Sequence, residues 1–424
     1  MERRRVLHER VARALEVRFP ETVETQPELI AHHFTEAGLG AEAVPYWQRA
    51  GERALQRSAN LEAIDQLEKG LELLGSPPDV AERSRPADEA RRFALLLLLG
   101  VGRVRVGEFA KAHQAFLRAA ETAKSLGSTE NVISAALELV HMTHTTGFPA
   151  PEALQLLEEA LQKLGPDDSP LKARTLSGLA RFLGVTGERQ KLMSYAPQAV
   201  AMARRIGDPK LVSYSLLGMF YALSGPEHAD ERLAITTEMQ DLAKAADVEN
   251  LTYSQHFWRG YCLLELGDTA GADEDFEAYG RWAAETNQPF HQSICEMLRA
   301  MRALMSGRFE DSERLAQNTF VITRSMQAET AAGVFGLQMF ALRREQGRLK
   351  EVEPVVRMFV QQNSADAAWR PGLAVIYSEL GLTADARAEF ENLAKHDFGD
   401  LPRDSMWMGT LTYFADICTF LAGC

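Results

Sequence analysis

The sequence predicts an all-α solenoid of helical hairpins that repeat about every 40 residues, and three observations carry that prediction. Glycines recur after apolar helical stretches at Gly107, Gly147, Gly187, Gly225, Gly267, Gly307, Gly347, Gly381 and Gly423, at intervals of 40, 40, 38, 42, 40, 40, 34 and 42, with an earlier member at Gly38. The segments between them are rich in strong helix formers with an apolar spacing of about 3.6 residues. Pro151-Glu152-Ala153-Leu154-Gln155-Leu156-Leu157-Glu158-Glu159-Ala160-Leu161 is one example. Alternating β-branched runs of the kind that strands need are missing. A fixed period of this length marks a repeat array, in which each unit buries its apolar face against its neighbours.

Within each period, a helix that ends in glycine can take the left-handed turn that reverses the chain into a second, antiparallel helix. The clearest second helix follows Gly107, where Ala112, Phe116 and Ala119 share one face. The same offsets select Ala43, Trp47 and Ala50 after Gly38, Ala272, Phe276 and Tyr279 after Gly267, and Ala386, Phe390 and Leu393 after Gly381. First helices carry a small residue seven positions before the glycine, at Ala31, Gly100, Ala180, Gly218, Gly260, Ala300 and Ala374; Val140, Phe340 and Asp416 break the rule. A missing side chain there lets the two helices of a hairpin approach closely.

In chain order, residues 1–86 read as an N-terminal helical junction with the first hairpins, and 87–424 as the regular array. The division falls at the break that starts with Gly75-Ser76-Pro77-Pro78 and runs to Pro86; further breaks lie at Gly165-Pro166-Asp167-Asp168-Ser169-Pro170 and Gly207-Asp208-Pro209. The longest apolar run, Phe93 to Gly102 between Arg92 and Arg103, reads as a buried helix. It is about half of the ~20 residues that cross a bilayer. The last segment, Leu411 to Gly423, reads as the first helix of an incomplete hairpin, which leaves an open apolar face where solenoids carry a polar cap.

A small residue late in the first helix, glycine at the turn, then Ala, an aromatic and Ala on the second helix resembles the tetratricopeptide repeat, with a period longer than the usual one. The resemblance implies a right-handed superhelix whose first helices line a concave face. A second resemblance rests on Arg4-Arg5-Val6-Leu7-His8-Glu9-Arg10-Val11-Ala12-Arg13-Ala14-Leu15-Glu16, on Pro27-Glu28-Leu29-Ile30-Ala31-His32-His33-Phe34-Thr35-Glu36-Ala37-Gly38, and on Ala43-Val44-Pro45-Tyr46-Trp47-Gln48-Arg49-Ala50-Gly51 with Glu62-Ala63-Ile64. These stretches, with the later Asp400-Leu401-Pro402-Arg403-Asp404-Ser405-Met406-Trp407, are similar to the tetratricopeptide tail of bacterial adenylate/guanylate cyclase-type or STAND/AAA ATPase signalling proteins. The chain has no GxxxxGK[ST] phosphate loop and no placeable cyclase carboxylate motif, so the resemblance implies a sensor tail without its engine.

Composition narrows the partners. The chain has 46 Lys+Arg against 59 Asp+Glu, a formal charge of −13, and a field of that sign repels nucleic acid and anionic lipid. Cys262, Cys295, Cys418 and Cys424 stand far apart with no CxxC pair, which argues against a disulfide framework or a zinc site and for a reducing cytoplasm. No signal-peptide core follows the basic start at Arg3-Arg4-Arg5. GxSxG, HExxH and interpretable Cys/His pairings are absent, so neither catalysis nor a cofactor or metal is expected. His32-His33 reads as packing, because adjacent helical residues point about 100° apart.

Candidate binding residues come from the first-helix register. His141 and His144 share one face at i and i+3 and read as structural, with a polar ligand contact, or a metal site completed by ligands from a neighbouring repeat, as alternatives; Arg174 and Arg181 can offer an anionic contact, solvation or a nearby Glu being the alternative. The densest aromatic stretch, Tyr253-Ser254-Gln255-His256-Phe257-Trp258-Arg259-Gly260-Tyr261, places Phe257 and Tyr261 inward, with Ser215 and Met219 before it and Met297, Met301 and Met305 after it. Such a Met/aromatic lining adapts to varied apolar partners, with plain inter-repeat core as the alternative. The expected function is a non-catalytic scaffold or sensor that binds a protein segment or small signal on its concave face and regulates a linked or partner ATPase, cyclase or other output module. The alternative is a purely structural scaffold that assembles into homo-oligomers through the open C-terminal face, with Leu411 and Phe414 as the residues to test.

Overall fold

In a computed structural model, described for residues 2–75, 86–146, 150–186, 189–245, 249–286, 288–325, 331–362, 370–398, 401 and 407–422, the chain folds into 22 α-helices, with no strand among the described residues. The fold is all-α and of the solenoid class: most successive helices are joined by short turns and pack on one another as hairpins. The chain divides into two compact units. Unit 1 comprises Met1–Asp167 with Trp282–Gln292 and Ile322–Glu329; unit 2 comprises Asp168–Arg281, Ser293–Val321 and Thr330–Cys424.

Unit 1 begins with α1 (Glu2–Arg18), α2 (Pro20–Thr25), α3 (Pro27–Ala37), α4 (Gly40–Gln56) and α5 (Asn60–Leu74). It continues with α6 (Pro86–Val106), α7 (Phe109–Ser125), α8 (Thr129–Thr146) and α9 (Glu152–Lys163). The apolar run is the middle of α6, where Leu95, Leu96 and Leu99 are buried. α5 and α6 pack together, with Leu95 closing over Gly70. Residues 76–85, where the sequence places a domain boundary, lie outside the described residues.

Unit 2 begins with α10 (Pro170–Thr186), α11 (Arg189–Ile206), α12 (Pro209–Ala222), α13 (Ala229–Ala245) and α14 (Glu249–Glu265). α15 (Thr269–Thr286), α16 (Pro289–Met305) and α17 (Phe309–Ser325) follow, each with a few terminal residues counted in unit 1, then α18 (Ala331–Glu345), α19 (Glu353–Gln362), α20 (Arg370–Glu379), α21 (Thr383–Ala394) and α22 (Trp407–Ala422). Its C-terminal core gathers Phe340, Leu349, Val356, Leu373, Ile376 and Ile417.

The turn glycines behave largely as their chemistry requires. Gly38, Gly107, Gly267, Gly307, Gly347 and Gly381 all have left-handed φ, between 66° and 85°. At each, the following N–H donates to the carbonyl five residues back: Leu39 to Phe34, Glu108 to Arg103, Asp268 to Leu263, Arg308 to Ala303, Arg348 to Arg343 and Leu382 to Tyr377, at 2.7–2.9 Å. This closes the orphan carbonyls of the first helix and aims the chain into the second. Gly225 departs from the expectation. It is not among the left-handed glycines, and the chain turns there through a 3-10 segment, Pro226–His228. Gly147, Gly187 and Gly423 lie outside the described residues.

The small residue before each turn has a physical reason. A Cβ on Gly100 would stand 2.3 Å from the Phe116 ring, and one on Gly260 would stand 2.6 Å from Phe276. The bare backbone of the first helix is thus the socket for the aromatic of the second. Phe116, Ala112 and Ala119 are completely buried, and Trp47 retains 6% exposure.

Candidate functional site

The first helices of unit 2 carry most of the predicted residues, and α10 packs directly on α12. Small residues draw these two helices together. A Cβ on Gly218 would lie 2.8 Å from the Ala180 Cβ, and one on Gly184 would lie 2.6 Å from Tyr221 Cβ. Ser177 and Ser215 share a hydrogen bond of 2.7 Å inside this seam, and both are fully buried. Ser215 therefore departs from the expectation of an inward-facing contact: its register points it between the helices, where no ligand reaches it.

Arg181 rises from the same seam. Its guanidinium carbon lies 4.7 Å from the centroid of the Tyr214 ring on α12, and the side chain is 5% exposed. Arg174, two turns earlier on α10, is exposed. Met219 is half-buried on α12.

On α14 the predicted aromatics separate into two environments. Phe257 is half-buried, edge-to-face on Trp258 at 4.7 Å and 5.8 Å from the Tyr279 ring of α15, so it belongs largely to the packing between helices. Trp258 reaches the other way, to Phe220 at 5.2 Å and Tyr221 at 5.6 Å, and so ties α14 to α12. Tyr261 is 43% exposed and hydrogen-bonded to Glu265, which also receives the buried Arg232 of α13. On α16, Met297 and Met301 are half-buried and Met305 is 56% exposed, its sulfur 3.6 Å from Arg302 Nη1.

His141 is exposed on α8 of unit 1. His144 is on the same helix, but its side chain lies outside the described residues, as do those of Tyr253 and Ser254. His32 and His33 do not stand alone. The Nδ1 atoms of His33 and His8 are 2.8 Å apart, and burial, with the nearby His8 and His32, lowers the basicity of His33.

Sequence reasoning missed a buried polar junction of α13, α14 and α15. His256 Nδ1 donates to Asp275 Oδ1 at 2.5 Å, and Arg259 grips the same carboxylate in a fork at 2.7 and 2.9 Å. Gln240 Nε2 lies 3.0 Å from the His256 Nδ1. Burial alone would raise the Asp275 carboxyl, but the hydrogen bonds from His256 and Arg259 hold it below the usual carboxylate range. The i, i+3 spacing of His256 and Arg259 was the available signal.

Burial pushes the Cys262 and Cys295 thiols up to about 11, far from a thiolate nucleophile at neutral pH. Among the described residues, no group of three or more His, Cys, Asp or Glu could hold a metal ion, and no helix is long and apolar enough to cross a membrane.

No family model and no curated protein matches the chain. Among solved structures, it is similar to a Rap protein complexed with competence and sporulation factor, at 12% identity, over 89% of this chain and 99% of that one, with a TM-score of 0.49. It is also similar to a signal transduction ATPase with numerous domains (STAND) from Pyrococcus horikoshii that carries a tetratricopeptide repeat sensor. That match has 14% identity and a TM-score of 0.45, and covers 86% of this chain and 55% of that protein. A human IFIT1 dimer with PPP-AAAA is similar at 15% identity over 93% of this chain and 94% of that one, with a TM-score of 0.40.

Proposed function

We propose that this chain is a non-catalytic binding region that takes a peptide or protein segment, or a small signal, across the first helices α10, α12, α14 and α16. The observation that carries this reading is the exposure of apolar side chains on three of those helices. Tyr261 and Met305 are 43% and 56% exposed, with Met219, Met297 and Met301 half-buried on the same set of helices. Flexible thioethers and an amphipathic ring suit a surface that accommodates more than one apolar sequence. Binding favours one arrangement of the stacked hairpins, and that bias passes to a linked or partner ATPase, cyclase or other output module.

The test is selection from a randomised peptide display library on the full chain, repeated with Tyr261→Glu and Met305→Glu. Met305 is the more exposed of the two, and Tyr261→Glu sets a carboxylate beside both Glu265 and Arg232, so a thermal melt of the double variant, expected within a few degrees of native, accompanies the binding measurement. Peptides recovered by the native chain should bind the double variant at least about tenfold more weakly, a loss of ~1.4 kcal/mol. Equal binding by both would move the site elsewhere.

A second reading, assembly through the C-terminal face, rests on α22, where Met408 and Leu411 are each 40% exposed. Sedimentation over a range of concentrations tests it: self-association that Leu411→Glu abolishes supports assembly, and a monomer at all concentrations contradicts it.

A further inference from the structure

Arg181 is the anomaly of this surface. A buried guanidinium ordinarily has a carboxylate or a set of carbonyls to take its five N–H groups. The other buried arginines of unit 2 follow that rule: Arg232 binds Glu265 and the Leu223 carbonyl, and Arg343 binds Glu313 and Glu351. Arg181, at 5% exposure, makes no ion pair and no hydrogen bond among the described residues. Its Nε is sealed from solvent without a partner, whereas the terminal nitrogens, equally unpartnered, keep contact with solvent.

The surroundings hold the group in place rather than neutralise it. Tyr214 supports the guanidinium from below at 4.7 Å, and the close approach of α10 to α12 at Ala180/Gly218 and Gly184/Tyr221 fixes the helix that carries it. A guanidinium whose carbon sits over a ring gives no N–H group to an acceptor there, which leaves its terminal N–H groups for a planar acceptor. Arg174 lies on the same face of α10, exposed to water.

We propose that Arg181 is an anion subsite that receives one carboxylate of the bound ligand, an acidic side chain or the terminal carboxylate of a peptide. This deepens the peptide-binding reading and rests on it for the identity of the ligand. A single buried guanidinium matches the single charge and planar fork of a carboxylate. A phosphate, carrying about −1.5 to −2, calls for more cations than Arg181 and a solvated Arg174 supply in a chain of net charge −13.

The first test uses the full chain labelled with 15N-arginine and titrated with sodium acetate, sodium phosphate and sodium chloride at constant ionic strength. The Nε–H resonance of Arg181, identified by its loss in Arg181→Gln, should shift saturably with acetate, more weakly with phosphate, and not with chloride. No saturable shift with acetate, or the same shift with chloride, overturns the subsite. A stronger response to phosphate overturns the assignment to carboxylate. Arg181→Gln should melt within a few degrees of the native chain, because losing the Tyr214 ring contact is offset by removing a charge that has no acceptor; should it fail to fold, triple-resonance assignment of the native chain identifies the signal instead.

The second test takes peptides selected on the native chain and compares each acidic residue with its amide twin, and each free C-terminus with an amidated one. One such change should weaken binding about tenfold or more to the native chain and leave binding to Arg181→Gln unaffected. Selected peptides that lose nothing in every amide form overturn the subsite while leaving peptide binding intact. An acetate response with no peptide selected leaves the subsite standing and removes the peptide-binding reading.

Discussion

At the scale of single residues, the sockets and the buried charges make the sharpest predictions. Alanine in place of a helical glycine ordinarily stabilises by about 0.5–1 kcal/mol. Gly280→Ala should do so, since the nearest atoms to its new Cβ are 3.8 and 4.0 Å away. Gly100→Ala should instead destabilise by about 1–3 kcal/mol, because its Cβ meets the Phe116 ring at 2.3 Å. Urea unfolding of the two variants checks the opposite signs. His291 gives a pH dependence. Burial, and then the Arg105 charge, push it down to about 4, and its ring lies 4.5 Å from Trp282. Unfolded, it titrates near ~6.5, so its contribution is complete above that pH and falls as pH drops toward the folded value, at up to about 1.4 kcal/mol per unit. Unfolding measured at pH 7.5 and 5.0 should show a loss of about 2 kcal/mol that His291→Leu largely removes. The sockets were legible because glycine and aromatic recur at fixed offsets. Arg181 was legible only as a helix-face position, since nothing local announces that Tyr214, in the next hairpin, lies beneath it.

Helices and turns were the most legible level, and the misses there have local causes. The six left-handed turns follow from glycine at the end of a periodic apolar stretch. At Gly225 the next residue is proline, and a 3-10 turn takes over the reversal. On α22, apolar content was readable but its distribution around the helix was not. Leu411 is exposed, whereas Phe414 is partly buried against Phe398 at 5.0 Å and Phe390 at 6.0 Å. Leu411→Glu should therefore leave the melting temperature within a few degrees of native. Phe414→Ala should cost about 3 kcal/mol or somewhat less and loosen the last helix, as hydrogen exchange of α22 will report. Polar contacts between neighbouring hairpins, such as Lys124–Glu159, Arg204–Glu238 and Arg344–Glu379, are exposed or partly exposed pairs worth at most about 1 kcal/mol each. High salt should accordingly shift the melting point little, because cohesion between hairpins rests on apolar stacking and on shielded pairs such as Arg232–Glu265 and Arg343–Glu313.

For the molecule as a whole, stacked hairpins make stability a sum of nearest-neighbour terms. Removing the hairpin of α12 and α13 should lower stability in a step rather than abolish helicity, and circular dichroism melts will show it. The charge of −13 should keep the chain off nucleic acid and anionic vesicles, in contrast to a neutral or acidic peptide captured by apolar contact and one guanidinium. Function was less legible than fold because a repeat writes its core into the sequence at every period, whereas a binding surface is written once, by residues from several periods. The measurement that bears most directly on that surface is hydrogen exchange across the full chain, with and without a peptide selected on it. Binding across α10, α12, α14 and α16 predicts slowed exchange in those helices and unchanged rates in α20 to α22. Protection confined to α22, or absent from α10 and α12, would contradict it.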